Sequence, residues 1–242
     1  GFFIISQCIL IFVVQFYTDS NQHTNFYIKR LTTPGELGLL HQLLMRRATK
    51  IDKTLVVDIL MSAFIDIKEG NSLNYFIKGE HNREKRAEYL FNYLFDKSLI
   101  TGEIYIADNE KGCILVDRSS KNKYSFGLFL KKLRTVYRSI GIKNVSRILK
   151  RQKLIDSFHT DKKYVYPSAM AAHSSVNGRG TCVRMIMELL KTYNDEPITI
   201  YTETATQENL NIYKRFGFEV KGESDELGFK IYFLALRLNK NK

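Results

Sequence analysis

Residues 170–185 read MAAHSSVNGRGTCVRM, and further along residues 208–218 read ENLNIYKRFGF. In the first stretch an apolar, β-prone run (KYVYPSAMAA, 163–172) leads through HSSV into the glycine loop Asn177-Gly178-Arg179-Gly180-Thr181-Cys182, and a helix, CVRMIMELLKTY, opens directly out of it. A strand–loop–helix junction of this kind leaves several backbone N–H groups without intrahelical partners at the positive end of the helix dipole. Glycine lets that backbone approach an anion closely, and a phosphate or pyrophosphate is the natural guest. The loop lacks the Gly-Lys-Ser/Thr of a Walker loop and the third glycine of a dinucleotide fingerprint. In the second stretch Asn209 and Tyr213 are i,i+4 neighbours on one helix face, and Gly217 stops the helix.

Working outward, the chain reads as strands and helices in alternation. MRRATK from Met45 is strand-like, and Asp52 is placed to N-cap a helix through Phe64, with Leu55, Val56, Ile59, Leu60 and Ala63 forming an apolar stripe. A helix over 82–95 follows, then GEIYIAD and CILVD joined by a turn at Asn109–Gly112, which is a hairpin pattern. Phe126, Phe129, Leu130, Leu133, Val136, Tyr137 and Ile140 recur at helical spacing up to Gly141, and a further helix carries Ile142, Val145, Ile148 and Leu149 inward with Arg147, Lys150 and Arg151 outward. After the glycine loop come the strand ITIYTETA, the helix ENLNIYKRF and the strand pair FEV and FKIYFLALRL. This order predicts an α/β fold, a mixed and mostly antiparallel central sheet flanked by helices, with residues 118–163 as a basic helical insertion.

The two stretches together resemble the GNAT superfamily of acyl-CoA N-acyltransferases. The glycine loop is similar to that family's pyrophosphate loop, usually Gln/Arg-x-x-Gly-x-Gly/Ala, with Asn177 where Gln or Arg is usual and Cys182 where Gly or Ala is usual. Residues 209–218 look like the family's Asn-x-x-x-Tyr-x-x-x-Gly-Phe element, with Asn209, Tyr213, Gly217 and Phe218 in register. The resemblance covers roughly 45–238 and is densest over 165–222. It implies acetyl-CoA or another acyl-CoA as cofactor, its pyrophosphate on the amides of Gly178, Arg179, Gly180, Thr181, Cys182 and Val183, with Asn177, Asn209 and Tyr213 also binding the cofactor. The pantetheine arm would run between a strand ending at 172 and one starting near 198, and backbone N–H groups near Ala171 and Ala172 would polarise the thioester carbonyl. An acceptor amine would attack directly, with Tyr213 as acid to the leaving thiolate. For the base, Glu203 at the end of ITIYTE is the first candidate, Glu103 on the hairpin and His173 beside the loop are the others, and a water relay would replace all three. Cys182 at a helix N-terminus is either a reactive thiol or a small structural residue.

Bulk properties bound the alternatives. Of the 242 residues, 44% are hydrophobic and 26% charged, as in a globular protein. Residues 118–163 hold fourteen Lys and Arg against two acids, which matches the whole net charge of +12. Such a stretch attracts a nucleotide, nucleic acid or a membrane surface. A nucleic-acid-associated protein using Lys131, Lys132, Arg134, Arg138, Lys143, Arg147, Lys150 and Arg151 is therefore the main rival reading, and a catalytically inactive GNAT-like binding module is a third. Three cysteines without CxxC spacing fit a reducing compartment, so a cytoplasmic location is expected. The histidines form no metal-binding pair, and no metal is expected. The apolar start GFFIISQCILIFVVQFY is shorter than a membrane span and is broken by Ser6, Gln7 and Gln15. It reads as a packed or partner-covered segment, a candidate dimer surface, with a short anchor as the alternative. Residues 1–44 are taken as an extension and 45–242 as the acyltransferase domain. The expected partner is a small-molecule or protein amine, which the sequence does not name.

Overall fold

Alternation of apolar residues along 102–118 places two strands side by side, and the rest of the sheet grows from that hairpin. The computed structural model describes residues 45–66, 77, 82–121, 126–141, 144–176 and 180–238. The apolar start and the strand and helix expected before Met45 lie outside the described residues. In chain order the elements are β1 (Met45–Arg47), α1 (Lys53–Phe64), α2 (Arg83–Thr101), β2 (Gly102–Ala107), β3 (Gly112–Arg118), α3 (Phe126–Thr135), α4 (Val145–Phe158), β4 (Tyr164–Ala172), α5 (Thr181–Tyr193), β5 (Ile198–Thr204), α6 (Gln207–Arg215), β6 (Glu219–Ser224) and β7 (Ile231–Leu238). The strands form one seven-stranded sheet in the order β1-β2-β3-β4-β5-β7-β6. Only β4 and β5 run parallel; every other neighbouring pair is antiparallel. The expected mixed, mostly antiparallel sheet with flanking helices is what the chain forms.

Each sheet face carries its own core. On one, α1 and α2 lay Val56, Ile59, Leu60, Leu90, Phe91, Leu94 and Phe95 onto Ile104, Ile106, Leu115, Ala169 and Ala171. On the other, α5 and α6 lay Cys182, Met185, Ile186, Leu189, Leu210 and Tyr213 onto Tyr105, Ile114, Met170 and Ile200. Each such aliphatic side chain taken from water contributes roughly 1.5–3 kcal/mol. A third cluster joins Ile155 of α4 to Leu227, Ile231 and Phe233, with Phe158 stacked on Phe233 at 4.1 Å between ring centroids.

Four local expectations are corrected. The helix expected over 82–95 continues to Thr101, because Lys97, Ser98 and Thr101 are buried with it, Lys97 and Thr101 both bonding Asp117. Asp52 stands at the N-cap of α1, but its carboxylate turns back to accept from Arg46 at 2.8 Å and from the Thr49 amide at 2.7 Å, not from the helix. Tyr137 was expected on an apolar face and is 75% exposed. Leu130 and Leu133, expected on the same face, are 50% and 46% exposed. A π turn over Val136–Ile140 follows α3, closed by Gly141 N–H donating to the Val136 carbonyl at 2.7 Å. The inward face is instead that of Lys132, Thr135, Ser139 and Ile140, so Leu133 and Tyr137 fall on the water side. Nor does the basic stretch face solvent throughout: Lys132 and Arg151 are buried. Arg151 shares the inward stripe of α4 with Ile148, Gln152 and Ile155, at i, i+3, i+4 and i+7.

Gly102 shows how tightly the hairpin is built, since a Cβ there would lie 1.7 Å from the Val116 carbonyl oxygen of the paired strand. Gly102→Ala is expected to destabilise the fold by about 3 kcal/mol or more. Urea denaturation followed by circular dichroism would show an unchanged slope and a midpoint moved to lower urea.

Candidate active site

The sheet is interrupted at its one parallel junction. β4 and β5 pair only at Tyr164 with Thr199 and at Val165 with Ile200; beyond these positions the two strands separate. The β3–β4 ladder slips between Leu115 and Val116, leaving Ser168 as an extra residue on β4. An extra residue bends a strand and reverses the alternation of its amides. His173 N–H donates to the Lys111 carbonyl at 2.8 Å. Alternation then turns the Ala171 amide toward β3 as well, and the Ala172 and Met170 amides the other way, into the gap beside β5. Of the two residues expected to supply an N–H to that gap, Ala172 is placed to do so and Ala171 is not.

α5 opens at the end of this gap. Its N-cap, Gly180, has φ +70°, a left-handed conformation that a glycine adopts without cost. Thr181, Cys182 and Val183 make its first turn with buried side chains, so their N–H groups point out along the axis. The Thr181 hydroxyl is buried and meets no hydrogen-bond partner among the described residues. Asn177, Gly178 and Arg179 lie outside the described residues. Burial pushes the Cys182 thiol up to about 12, which makes it a packed residue and not a thiolate.

α6 supplies the side of the gap on the same face. Thr206 caps it, accepting from the Asn209 amide at 3.3 Å. Asn209 and Tyr213 are both buried. Gly217, at φ +86°, folds the chain back so that Phe218 N–H donates to the Tyr213 carbonyl at 3.1 Å and the Phe218 ring meets the Tyr213 ring edge-on at 5.2 Å. This accounts for the four-residue spacing from Tyr213 to Gly217-Phe218: the turn locks the phenol. Burial raises the Tyr213 phenol far above its usual range, and Thr202 of β5 acts in the opposite direction.

The candidate carboxylates fall elsewhere. Neighbours along a strand point to opposite faces, so Glu203 leaves β5 on the side away from Thr202 and Tyr213. It is 2% exposed and forms an ion pair with Arg151, itself 1% exposed. Burial raises the Tyr166 phenol and the Arg151 charge acts against that. Beside them His159 stacks on Tyr201 at 4.4 Å, and burial together with the Arg151 charge lowers its imidazole to about 4. Glu103 lies on β2, with β3 between it and β4. Its carboxylate accepts from Tyr193 at 2.6 Å, Lys121 at 2.9 Å and Tyr105 at 3.0 Å, and Arg47 lies 3.3 Å away. Burial opposes the charge, but these hydrogen bonds win and hold it at about 2. His173, at the end of β4, has Nε2 3.7 Å from the Asp58 carboxylate of α1 and Nδ1 2.9 Å from the Ser175 hydroxyl; Ser62 of α1 bonds Ser174 beside it. The reading from sequence missed Arg151 and Tyr166. The available signal was an arginine three residues after Ile148 and four before Ile155, on the apolar stripe, where a charge requires a buried partner.

No protein-family model matches the sequence, and no curated protein matches it. Solved structures do. A histone acetyltransferase HPA2 and related acetyltransferase from Corynebacterium glutamicum aligns over 82% of this chain and 97% of its own at 20% identity, with a TM-score of 0.57. A putative arylalkylamine N-acetyltransferase 7 from the yellow fever mosquito aligns over 81% and 87% at 10% identity, TM-score 0.57. A polyamine N-acetyltransferase of Drosophila melanogaster aligns over 80% and 99% at 9% identity, TM-score 0.53. The fold is that of the GNAT acetyltransferases. In this GNAT fold the forked pair is β4–β5, the glycine-loop helix is α5 and the tyrosine helix is α6.

The Glu103 network gives a pH prediction. Its folded value lies below the ordinary 4.5, so its stabilisation is complete above that value and is lost as pH falls toward 2. Unfolding free energy measured by urea titration is expected to fall steeply from pH 5 to pH 3. In Glu103→Gln the slope over that interval is expected to be shallower, the remainder coming from Asp52 and Asp96.

Proposed function

We propose that the chain is an acyl-CoA-dependent N-acyltransferase that moves an acetyl group from acetyl-CoA to a primary amine. The observation that carries this is the coincidence of three features at one end of the sheet: the β4–β5 fork, the Gly180-capped start of α5 and the turn-locked Tyr213. The donor set suits the cofactor. The first-turn amides of Thr181, Cys182 and Val183, with the unpartnered Thr181 hydroxyl, offer donors to a pyrophosphate. The amides of Met170 and Ala172 face a slot in which an extended pantetheine arm would find β-type partners. When bound, acetyl-CoA supplies an activated thioester.

The chain's own residues would do the following. The Ala172 amide would hold the carbonyl oxygen and stabilise charge as it develops there. Tyr213, neutral because of its burial, would keep its proton at Oη and give it to the departing sulfur. Glu203 and Glu103 are both committed to cations, so neither is assigned as the base. His173 beside the loop, with Asp58 behind its Nε2, is left as the candidate side chain for that role, a water relay being the alternative. Two of the similar structures are named for arylalkylamines and polyamines, which supports a small amine as acceptor.

The rival nucleic-acid reading loses support where the cations are engaged. Lys131 pairs with Asp96 and Lys150 with Glu226, Arg138 lies on the Tyr89 ring, Arg151 is buried on Glu203 and Lys132 is buried.

Acetyl-CoA at a hundred times its dissociation constant is expected to stabilise the fold by roughly 2.7 kcal/mol, visible as a raised melting temperature. No rise into the millimolar range would overturn the reading. With an acceptor found by amine screening, Tyr213→Phe is expected to lower kcat about a hundredfold while KM for acetyl-CoA changes little. An unchanged kcat would remove the acid role.

A further inference from the structure

Arg151 occupies a position for which neither a surface helix nor a basic binding face gives a reason. It projects from the inward stripe of α4, between Ile148 and Ile155, and touches two strands. On β4 its charge acts on the buried phenol of Tyr166, the residue immediately after the last paired position, Val165. On β5 it pairs with Glu203, three residues after the last paired position, Ile200. The guanidinium therefore spans the two strands where they separate, in place of the ladder hydrogen bonds that a continuous sheet would have. A planar group with five donors suits two acceptors at fixed separation, which a lysine ammonium cannot match. The surroundings favour the pair: His159 is neutral at physiological pH, Tyr201 donates its hydroxyl to Asp161 at 2.7 Å, and Gln152 donates to Asp156 at 2.7 Å.

We propose that Arg151 is a positioning residue of the acyl-transfer site, setting the width of the β4–β5 fork through Glu203 and Tyr166 so that the gap admits the pantetheine arm. Glu203 is thereby the counter-ion of Arg151 and not the base of the reaction. The proposal rests on the acyltransferase reading above. It makes the basic segment part of the site: α4 carries the residue that holds the slot open.

The test compares two ligands by isothermal titration calorimetry: acetyl-CoA, which fills the fork, and adenosine 3′,5′-bisphosphate, which lacks the pantetheine arm. Arg151→Met strands a buried carboxylate and is expected to destabilise the fold, so the informative protein is Arg151→Met/Glu203→Met, since apolar residues of similar volume often replace a buried ion pair without loss of stability. Melting temperature and circular dichroism establish that this double variant is folded. Expected is a loss of acetyl-CoA affinity of about tenfold or more, with adenosine bisphosphate affinity unchanged and Arg151→Lys intermediate. Equal affinity for acetyl-CoA in the double variant and the native protein would overturn the proposal, as would parallel loss of both ligands, which marks general loosening. If the native protein binds adenosine bisphosphate but gains nothing from the acetyl-pantetheine arm, the positioning role falls while an anion site at α5 stands. A native protein that binds neither ligand overturns the acyltransferase reading itself and this proposal with it.

Discussion

Two parallel strands that share a register at only two positions are an unstable arrangement on their own, and most of the molecule is arranged around that weakness. Every N–H and C=O on the inner edges of β4 and β5 beyond Val165 and Ile200 needs a partner that the sheet does not supply. The prongs stay in place because their outer edges are zipped. β4 is paired to β3 from Gly112 to Arg118, and β5 is paired to β7 along its full length. The Ser168 bulge sits on the diverging prong, where an added residue both bends the strand and turns new amides into the gap. A sheet without the bulge would present Ala171 where Ala172 now points.

The faces of the fork are then closed from two sides by helices with different chemistry. Thr202 and Glu203 are consecutive and so point apart, the first to Tyr213 on α6 and the second to Arg151 on α4. One side is a neutral, buried phenol held by an aromatic turn, the other a buried ion pair. An ion pair taken out of water seldom adds stability over apolar packing, because desolvation offsets the attraction. A fold that needed only to attach α4 to the sheet would be served by more residues like Ile148 and Ile155. The pair makes sense as a geometric device, fixing a distance that apolar side chains would let collapse.

Much of this could be read from the chain. The Asn209–Phe218 spacing and the hairpin each depend on contacts between near neighbours, and the helical and two-residue periods report those directly. The failures have long-range causes. Leu130, Leu133 and Tyr137 are misplaced because the helix turns Lys132, Thr135 and Ser139 inward, polar residues that a count of apolar positions passes over. α2 outruns its expected end because Lys97 and Thr101 are buried against Asp117, some twenty residues away. Glu203 is a candidate base by its place at a strand end and Glu103 by its place on the hairpin, yet the cations that engage them come from α4, from β1 and from the turn after β3. Carboxylate position along a strand is local information; what neutralises it is not.

The charge of residues 118–163 illustrates the same limit in the opposite direction. A count of cations treats each as an equal contributor to a surface field, and on that basis the segment looks like a binding face. In the fold, Arg118 bonds Glu196 at 2.5 Å and stacks over Tyr193, Lys121 serves Glu103, Lys131 serves Asp96, and Arg151 never reaches solvent. These partners lie on β2, α2, α5 and β5, or just past an element's end, so the segment is bound to the rest of the molecule by charges it brings and the others lack. Part of its charge therefore serves folding, since Glu103 and Glu203 are buried and would be costly to leave without counter-ions. The same lysines and arginines that suggest a polyanion partner in the sequence are what allow acidic residues to sit inside the sheet.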